Sequence, residues 1–401
     1  MKLAIICYGN LRDMKGVMNF VHEKARLLGL RHSGQLSIDV FLLCQIPSFL
    51  FRKLILRKEI SLLKEKGQLV EREVFNGVTY HYIYYKYGIY DNIFYTKRAG
   101  LPMNKGEADA VVSNFESYDI IASHGVLSHY IAKKIKEKYH KPFVATWHGS
   151  DINVYPKRNK NQLMMVKRLI ECADLNIFVS NALLKASDKI TTKGKKEVIY
   201  TGPSHIFYKY EQNKRESLHN TLGSGKRYVI GYVGNLLPIK NVMELPKIFG
   251  EVGRLMGPQN VQFIIVGNGP EEAELRRAMH AYNVDVKWMG KVEPNQIPDI
   301  MNALDLLVLP SLNEGLPLVI LEARKCGAYV VGSDKGGIPE AIGEVRNCFR
   351  LDDEFYSRIG NRICQLLTND TQPAPLPDYF SWDKAIEKEV SIYQLIISHY
   401  E

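Results

Sequence analysis

The chain has 401 residues, 46% of them hydrophobic and 24% charged, with a formal net charge of +10. That length exceeds one ordinary domain and predicts two, and the composition is that of a globular chain rather than a disordered or fibrous one. No apolar run is long enough to span a bilayer, and MKLAIICYGN has too short an apolar core for a signal peptide.

The first elements are a strand at 2–8, a loop to Gly16, a helix carrying Val17, Phe20, Val21, Ala25 and Leu28, and a strand at 36–43. This is a βαβ unit and implies a parallel sheet. From 46 to 66 apolar Phe49, Leu50, Phe51, Leu54 and Ile55 mix with Arg52, Lys53, Arg57 and Lys58. A basic amphipathic helix here could lie on a membrane face or pack one side on the core. Tyr80, Tyr82 and Tyr84 alternate as in a strand; they read as sheet packing, or more weakly as a sugar-stacking surface. From 118 the rhythm is regular: strand to His124, helix, strand KPFVATWHG with His148, helix at 161–171, strand DLNIFVS, and EVIYTG closing the first half at Gly202.

Residues 203–227 are polar and read as a linker. Gly225-Lys226 is not a P-loop, because Arg227 stands where Ser or Thr belongs and no strand leads in. Strands and helices then alternate again from 228 to about 368, and a last helix begins near Trp382. The predicted architecture is α/β: two doubly wound Rossmann-like domains, 1–202 and 228–380, facing across a cleft, with a C-terminal helix at 381–401 packing back on the first. Six scattered cysteines without a C-x-x-C pair point to reduced thiols in a cytosolic protein.

Charge divides unevenly. Residues 1–200 hold 32 Lys+Arg against 18 Asp+Glu, leaving 21 and 25 for the rest. A basic first half suits an anionic partner, or is a solvated lysine-rich surface.

Ligands of such folds bind beyond the carboxyl ends of the strands. There the chain places Gly16, His124 and His148, then Gly234-Asn235, Gly267-Asn268-Gly269, Gly290-Lys291, Ser311 to Gly315 and Ser333 to Gly337. Glycines at so many strand ends let backbone approach a ligand closely. The stretch NEGLPLVILEA sets Glu314 before a helix and Glu322 about two turns inside it, eight positions on. The turn between them supplies backbone N–H groups at a helix start, a cradle for an anion. No His/Cys/Asp cluster has metal-ligand spacing.

These motifs resemble the glycosyltransferases of family four, retaining enzymes with the two-domain GT-B fold. The likeness covers nearly the whole chain and is strongest from 228 to 345. It rests on Glu-x7-Glu at 314–322, GGIPEAI at 336–342, GYVGNLLPIKNV, FIIVGNGPE, TWHGSD at 146–151 and FSWDKAIEKEVSIY. The resemblance implies transfer from a nucleotide diphosphate sugar, UDP before GDP, without metal or other cofactor. Lys240 would neutralise the diphosphate. The backbone from Gly315 through Leu316, Pro317 and Leu318 to Val319 would hold the distal phosphate by its N–H groups. Glu322 would take the ribose hydroxyls and Glu314 the donated sugar. His148 would approach the sugar from the first domain, with Asp151 on the same loop. Gly267, Gly290 and Lys291 would line the nucleotide, and Gly16 would let the first loop near the phosphates.

Two positions depart from the family's pattern. Asn235 stands where an arginine is usual, and Lys15 where a second glycine is usual; Lys15 could supply the cation that Asn235 does not. The acceptor implied is a glycan or lipid-linked glycan of cell-envelope polysaccharide assembly, met at the inner membrane face by a cytoplasmic protein. A nucleotide-sugar epimerase and a non-catalytic binding subunit are the alternatives on this architecture. Nucleic acid is disfavoured for want of a recognised motif.

Overall fold

The computed structural model describes residues 1–9, 11, 16–47, 71–87, 103–369 and 371–400. Lys15 and all but the first two residues of the basic stretch 46–66 lie outside them. The chain forms two compact units, Met1–Ile199 with Asp383–Glu401, and Tyr200–Trp382.

In the first unit the strands are β1 (Lys2–Tyr8), β2 (Ser37–Pro47), β3 (Arg72–Phe75), β4 (Val78–Tyr87), β5 (Ile120–His124), β6 (Phe143–Trp147), β7 (Leu175–Phe178) and β8 (Lys196–Val198). Their order is β3-β4-β2-β1-β5-β6-β7-β8. Only β3, hairpinned to β4, runs antiparallel. All five residues of β5 and of β6 are buried, as a parallel sheet covered on both faces requires. The tyrosines of β4 are packing residues. Tyr80 is fully buried with its hydroxyl 2.6 Å from His22 Nδ1, and Tyr82 donates to Glu73.

The C-terminal helix Trp382–Ser398 belongs, from Asp383, to this first unit. Its anchor is a buried ion pair between Glu389 and Lys24 of the helix Val17–His32. Tyr393 donates to the same carboxylate. Burying two charges is costly unless they are paired and bonded, so this contact fixes the helix in one place.

The second unit orders β9 (Tyr228–Val233), β10 (Val261–Val266), β11 (Val286–Gly290), β12 (Leu306–Leu309), β13 (Tyr329–Ser333) and β14 (Cys348–Phe349) as β11-β10-β9-β12-β13-β14, all parallel. The expected linker at 203–227 is part of this unit and carries the helix Gln212–Gly223. That helix escapes a periodicity reading because only Gly223 of its residues is buried. Polar contacts hold it instead: His219 Nε2 lies 2.9 Å from Asp305 Oδ2, and Asn302 bonds the Tyr208 carbonyl and the Tyr210 N–H just before it.

Loops at the carboxyl ends of these strands pack backbone on backbone. A Cβ on Gly267 would lie 1.9 Å from the Gly234 carbonyl oxygen, at a φ of +124°. One on Gly269 would lie 2.2 Å from that of Leu236, and one on Gly337 1.9 Å from that of Gly315. A Gly267→Ala chain must therefore displace the 234–236 loop. We expect it to lose on the order of 2 kcal/mol, read as a lower thermal melting temperature.

Candidate functional site

In the second unit strand order reverses between β9 and β12, and in open α/β sheets such a switch point is where ligands bind. The loop after β9 turns through Pro238–Lys240, with Asn241 left-handed at φ +52°. It is stitched to the loop after β12, since Leu312 N donates to the Ile239 carbonyl at 2.9 Å and Asn241 Nδ2 to that of Pro310. This register brings Lys240 Nζ to 2.6 Å from Glu314 Oε1, the two side chains 23% and 14% exposed. A cation and a carboxylate expected to serve phosphate and sugar thus stand in contact, 74 positions apart in sequence.

The turn after Glu314 is set from outside. Gly337 N donates to the Glu314 carbonyl at 3.0 Å, and a Cβ at Gly336 would meet that same oxygen at 2.1 Å. The helix Leu318–Cys326 then starts at Pro317 with no side chain capping it. The Ile320 N–H donates to the Pro317 carbonyl at 3.1 Å, and the N–H groups ahead of it, at a helix start, favour an anion. Glu322 lies one turn further in. Burial pushes its carboxyl up to about 7.

Asn235 sits over Tyr232, a fully buried residue whose hydroxyl donates to the Asn235 carbonyl at 2.9 Å. Burial raises the Tyr232 phenol, and Glu314 and Glu271 add to the shift. Gly267 packs its Cα against the Gly234 carbonyl, and its N–H donates to the Gly290 carbonyl at 2.7 Å. Lys291 is exposed.

In the first unit the histidine loop follows β6. Asp151 is buried, and its carboxylate accepts the backbone N–H groups of His148, at 2.9 Å, and of Gly149, at 2.8 Å. This corrects its reading as a substrate ligand: it shapes the loop that presents His148. His148 Nε2 lies 2.9 Å from Nδ1 of His124, at the end of β5. Phe20 packs edge-on against His148 at 4.8 Å. Four residues before Phe20 is Gly16, at φ +52°, which accepts the Phe20 N–H. Burial, with Lys24 second, pulls the His148 imidazole down to about 3.

Sequence reasoning read Phe20 only as an apolar helix position and did not single out Tyr232 or the Lys24–Glu389 pair. Glu271 Oε2 and Ser311 Oγ are buried without a hydrogen-bond partner among the described residues. Both follow strand ends, Ser311 in the stretch to Gly315 and Glu271 as the last residue of FIIVGNGPE.

Paired parallel units of this build form the GT-B fold. Over essentially their whole lengths the chain matches a sucrose-phosphate synthase of Thermosynechococcus elongatus (17% identical, TM-score 0.71, 99% of each chain). It also matches HepE of Anabaena in complex with UDP (21%, TM-score 0.69, 100% of this chain and 99% of that one). Residues 69–203 match the family described as Glycosyltransferase Family 4, and residues 214–381 that described as Glycosyl transferases group 1. The chain belongs to the glycosyltransferases of family four.

Among curated relatives, the putative teichuronic acid biosynthesis glycosyltransferase TuaC of Bacillus subtilis is 29% identical over 56% of this chain and 56% of its own length. The N-acetyl-alpha-D-glucosaminyl L-malate synthase of Bacillus anthracis is 24% identical over 65% and 68%. The chain thus spans little more than half of the first of these and about two thirds of the second.

Two pH responses follow. The folded chain favours neutral Glu322, so ionisation costs stability as pH climbs from 4.5 through about 7. Glu322→Gln should melt a few degrees above the parent chain at about pH 8, the difference closing towards about pH 5. His148, lowered to about 3, is neutral across the physiological range. Imidazole NMR should show no titration of this ring between about pH 5 and 8.

Proposed function

We propose that the chain transfers a sugar from a nucleotide diphosphate sugar, UDP before GDP, to a glycan or lipid-linked acceptor, with retention of the anomeric configuration. The Lys240–Glu314 contact at 2.6 Å, beside the Glu314–Val319 turn, carries this reading. Lys240 swings from Glu314 to the diphosphate as the donor enters, and Glu314 is released to the hydroxyls of the donated sugar. The charge that gathers on the leaving diphosphate is met by the Lys240 ammonium and by the N–H groups of the turn, so the reaction asks for no metal. Glu322, at the edge of its titration, accepts from the ribose hydroxyls in its ionised form.

The two carboxylates are not a glycosidase pair, because Glu322 serves the ribose and not the scissile bond. The acceptor hydroxyl attacks on the face the diphosphate leaves, and its proton passes to the departing phosphate. His148, neutral, orients the sugar as a hydrogen-bonding partner rather than as an acid. UDP is supported by the likeness to HepE, whose structures hold UDP alone and UDP with glucose. Envelope polysaccharide as the product is supported by the name of TuaC. The protein works from the cytoplasm, at the inner membrane face.

Donor turnover with and without lipid-linked acceptors is the test. Glu314→Gln and Lys240→Met should each lower kcat/KM by roughly 100- to 1000-fold, and the product should keep the donor's anomeric configuration by NMR. Full activity in either variant removes that residue's role. Conversion of the donor sugar without acceptor identifies an epimerase, and binding without turnover a non-catalytic subunit.

A further inference from the structure

The segment that follows the histidine loop is strongly basic. Between Asp151 and Glu171 it contains no acid and five cations, Lys157, Arg158, Lys160, Lys167 and Arg168. It leaves the carboxyl end of β6, passes through the turns Ser150–Asn153 and Tyr155–Lys157, and becomes the helix Lys160–Cys172. That helix buries Gln162, Met165, Val166, Leu169 and Ile170 on the first unit. Its outer stripe runs Lys160, then Leu163 and Met164, then Lys167 and Arg168, one helical turn apart each time.

Leu163 and Met164 are 37% and 36% exposed, and Val154, just ahead of the helix, 39%. None of the five cations is ion-paired to a carboxylate among the described residues. Arg158 lies over the Tyr155 ring at 5.7 Å.

We propose that this face, Val154 to Arg168, docks the first unit on an anionic lipid bilayer. Apolar side chains standing between cations are what an interfacial element needs: the cations meet lipid phosphates while Val154, Leu163 and Met164 enter the headgroup boundary. A soluble polyanionic glycan would reward the cations but not the exposed aliphatic groups. The face begins six residues beyond His148, so a membrane held here lies beside the loop assigned to the acceptor. The inference rests on the membrane-face part of the proposed function. It is independent of the donor chemistry.

Sedimentation with vesicles of phosphatidylcholine, with and without phosphatidylglycerol, tests it. The full chain should bind the anionic vesicles and release in high salt. Lys157→Gln/Arg158→Gln/Lys160→Gln should weaken that binding on the order of 100-fold, at roughly fivefold per charge. Leu163→Ser/Met164→Ser should weaken it too, while leaving binding to a soluble anionic polysaccharide unchanged. Both variants should keep the parent's melting temperature and donor turnover, so loss of vesicle binding is not loss of fold and does not depend on the transfer reaction. Unchanged vesicle binding in both overturns the proposal. So does vesicle binding lost only on neutralising Arg52, Lys53, Arg57 and Lys58, or polysaccharide binding lost with vesicle binding intact.

Discussion

Everything in the second unit depends on backbone meeting backbone at the carboxyl ends of its strands. Gly267 lies against the Gly234 carbonyl, Gly269 against that of Leu236, and Gly336 and Gly337 against those of Glu314 and Gly315. Any side chain at these places would enter another loop's main chain. The result is a set of loops whose positions are fixed by each other rather than by their own sequences. Glu314 therefore meets Lys240 without either being close in the chain. The glycines let these loops touch.

The acids of this site are kept distinct by their surroundings. Glu314 has a lysine as counter-ion at 2.6 Å. Glu322 is desolvated, and its carboxyl is raised to about 7. A pair of carboxylates on one short stretch can divide labour only if their environments differ, and here one meets Lys240 while the other is desolvated inside the helix. The cost is stored as reduced stability of the ligand-free chain at alkaline pH, a common condition of functional sites.

The first unit spends its buried polar groups on positioning. Asp151 folds the loop beneath His148 by taking two backbone N–H groups. His124 and Phe20 flank the imidazole. Lys24, one helical turn past Phe20, is held by Glu389 from the C-terminal helix. That helix is thus joined by this buried charge pair, and at the surface by Arg31–Asp383, to the element that packs on the histidine loop. Charge near the ring and burial around it both favour the neutral imidazole.

The sequence by itself determined the alternation of strands and helices, the parallel sheets, the two-unit plan and the strand ends that carry function. These are legible because periodicity and strand-end glycines are local signals. It also determined the Glu314–Glu322 spacing and the family. It could not distinguish a linker from the polar helix Gln212–Gly223, which is held by Asn302 and Asp305 about 90 positions away rather than by an apolar stripe. Nor could it tell a ligand-facing Asp151 from a buried one, or show that Gly267 is wedged against Gly234. Those are questions of what lies opposite a residue in space, and only tertiary packing sets that: a carboxylate reads the same in sequence whether it meets a sugar, a lysine or its own loop's N–H groups.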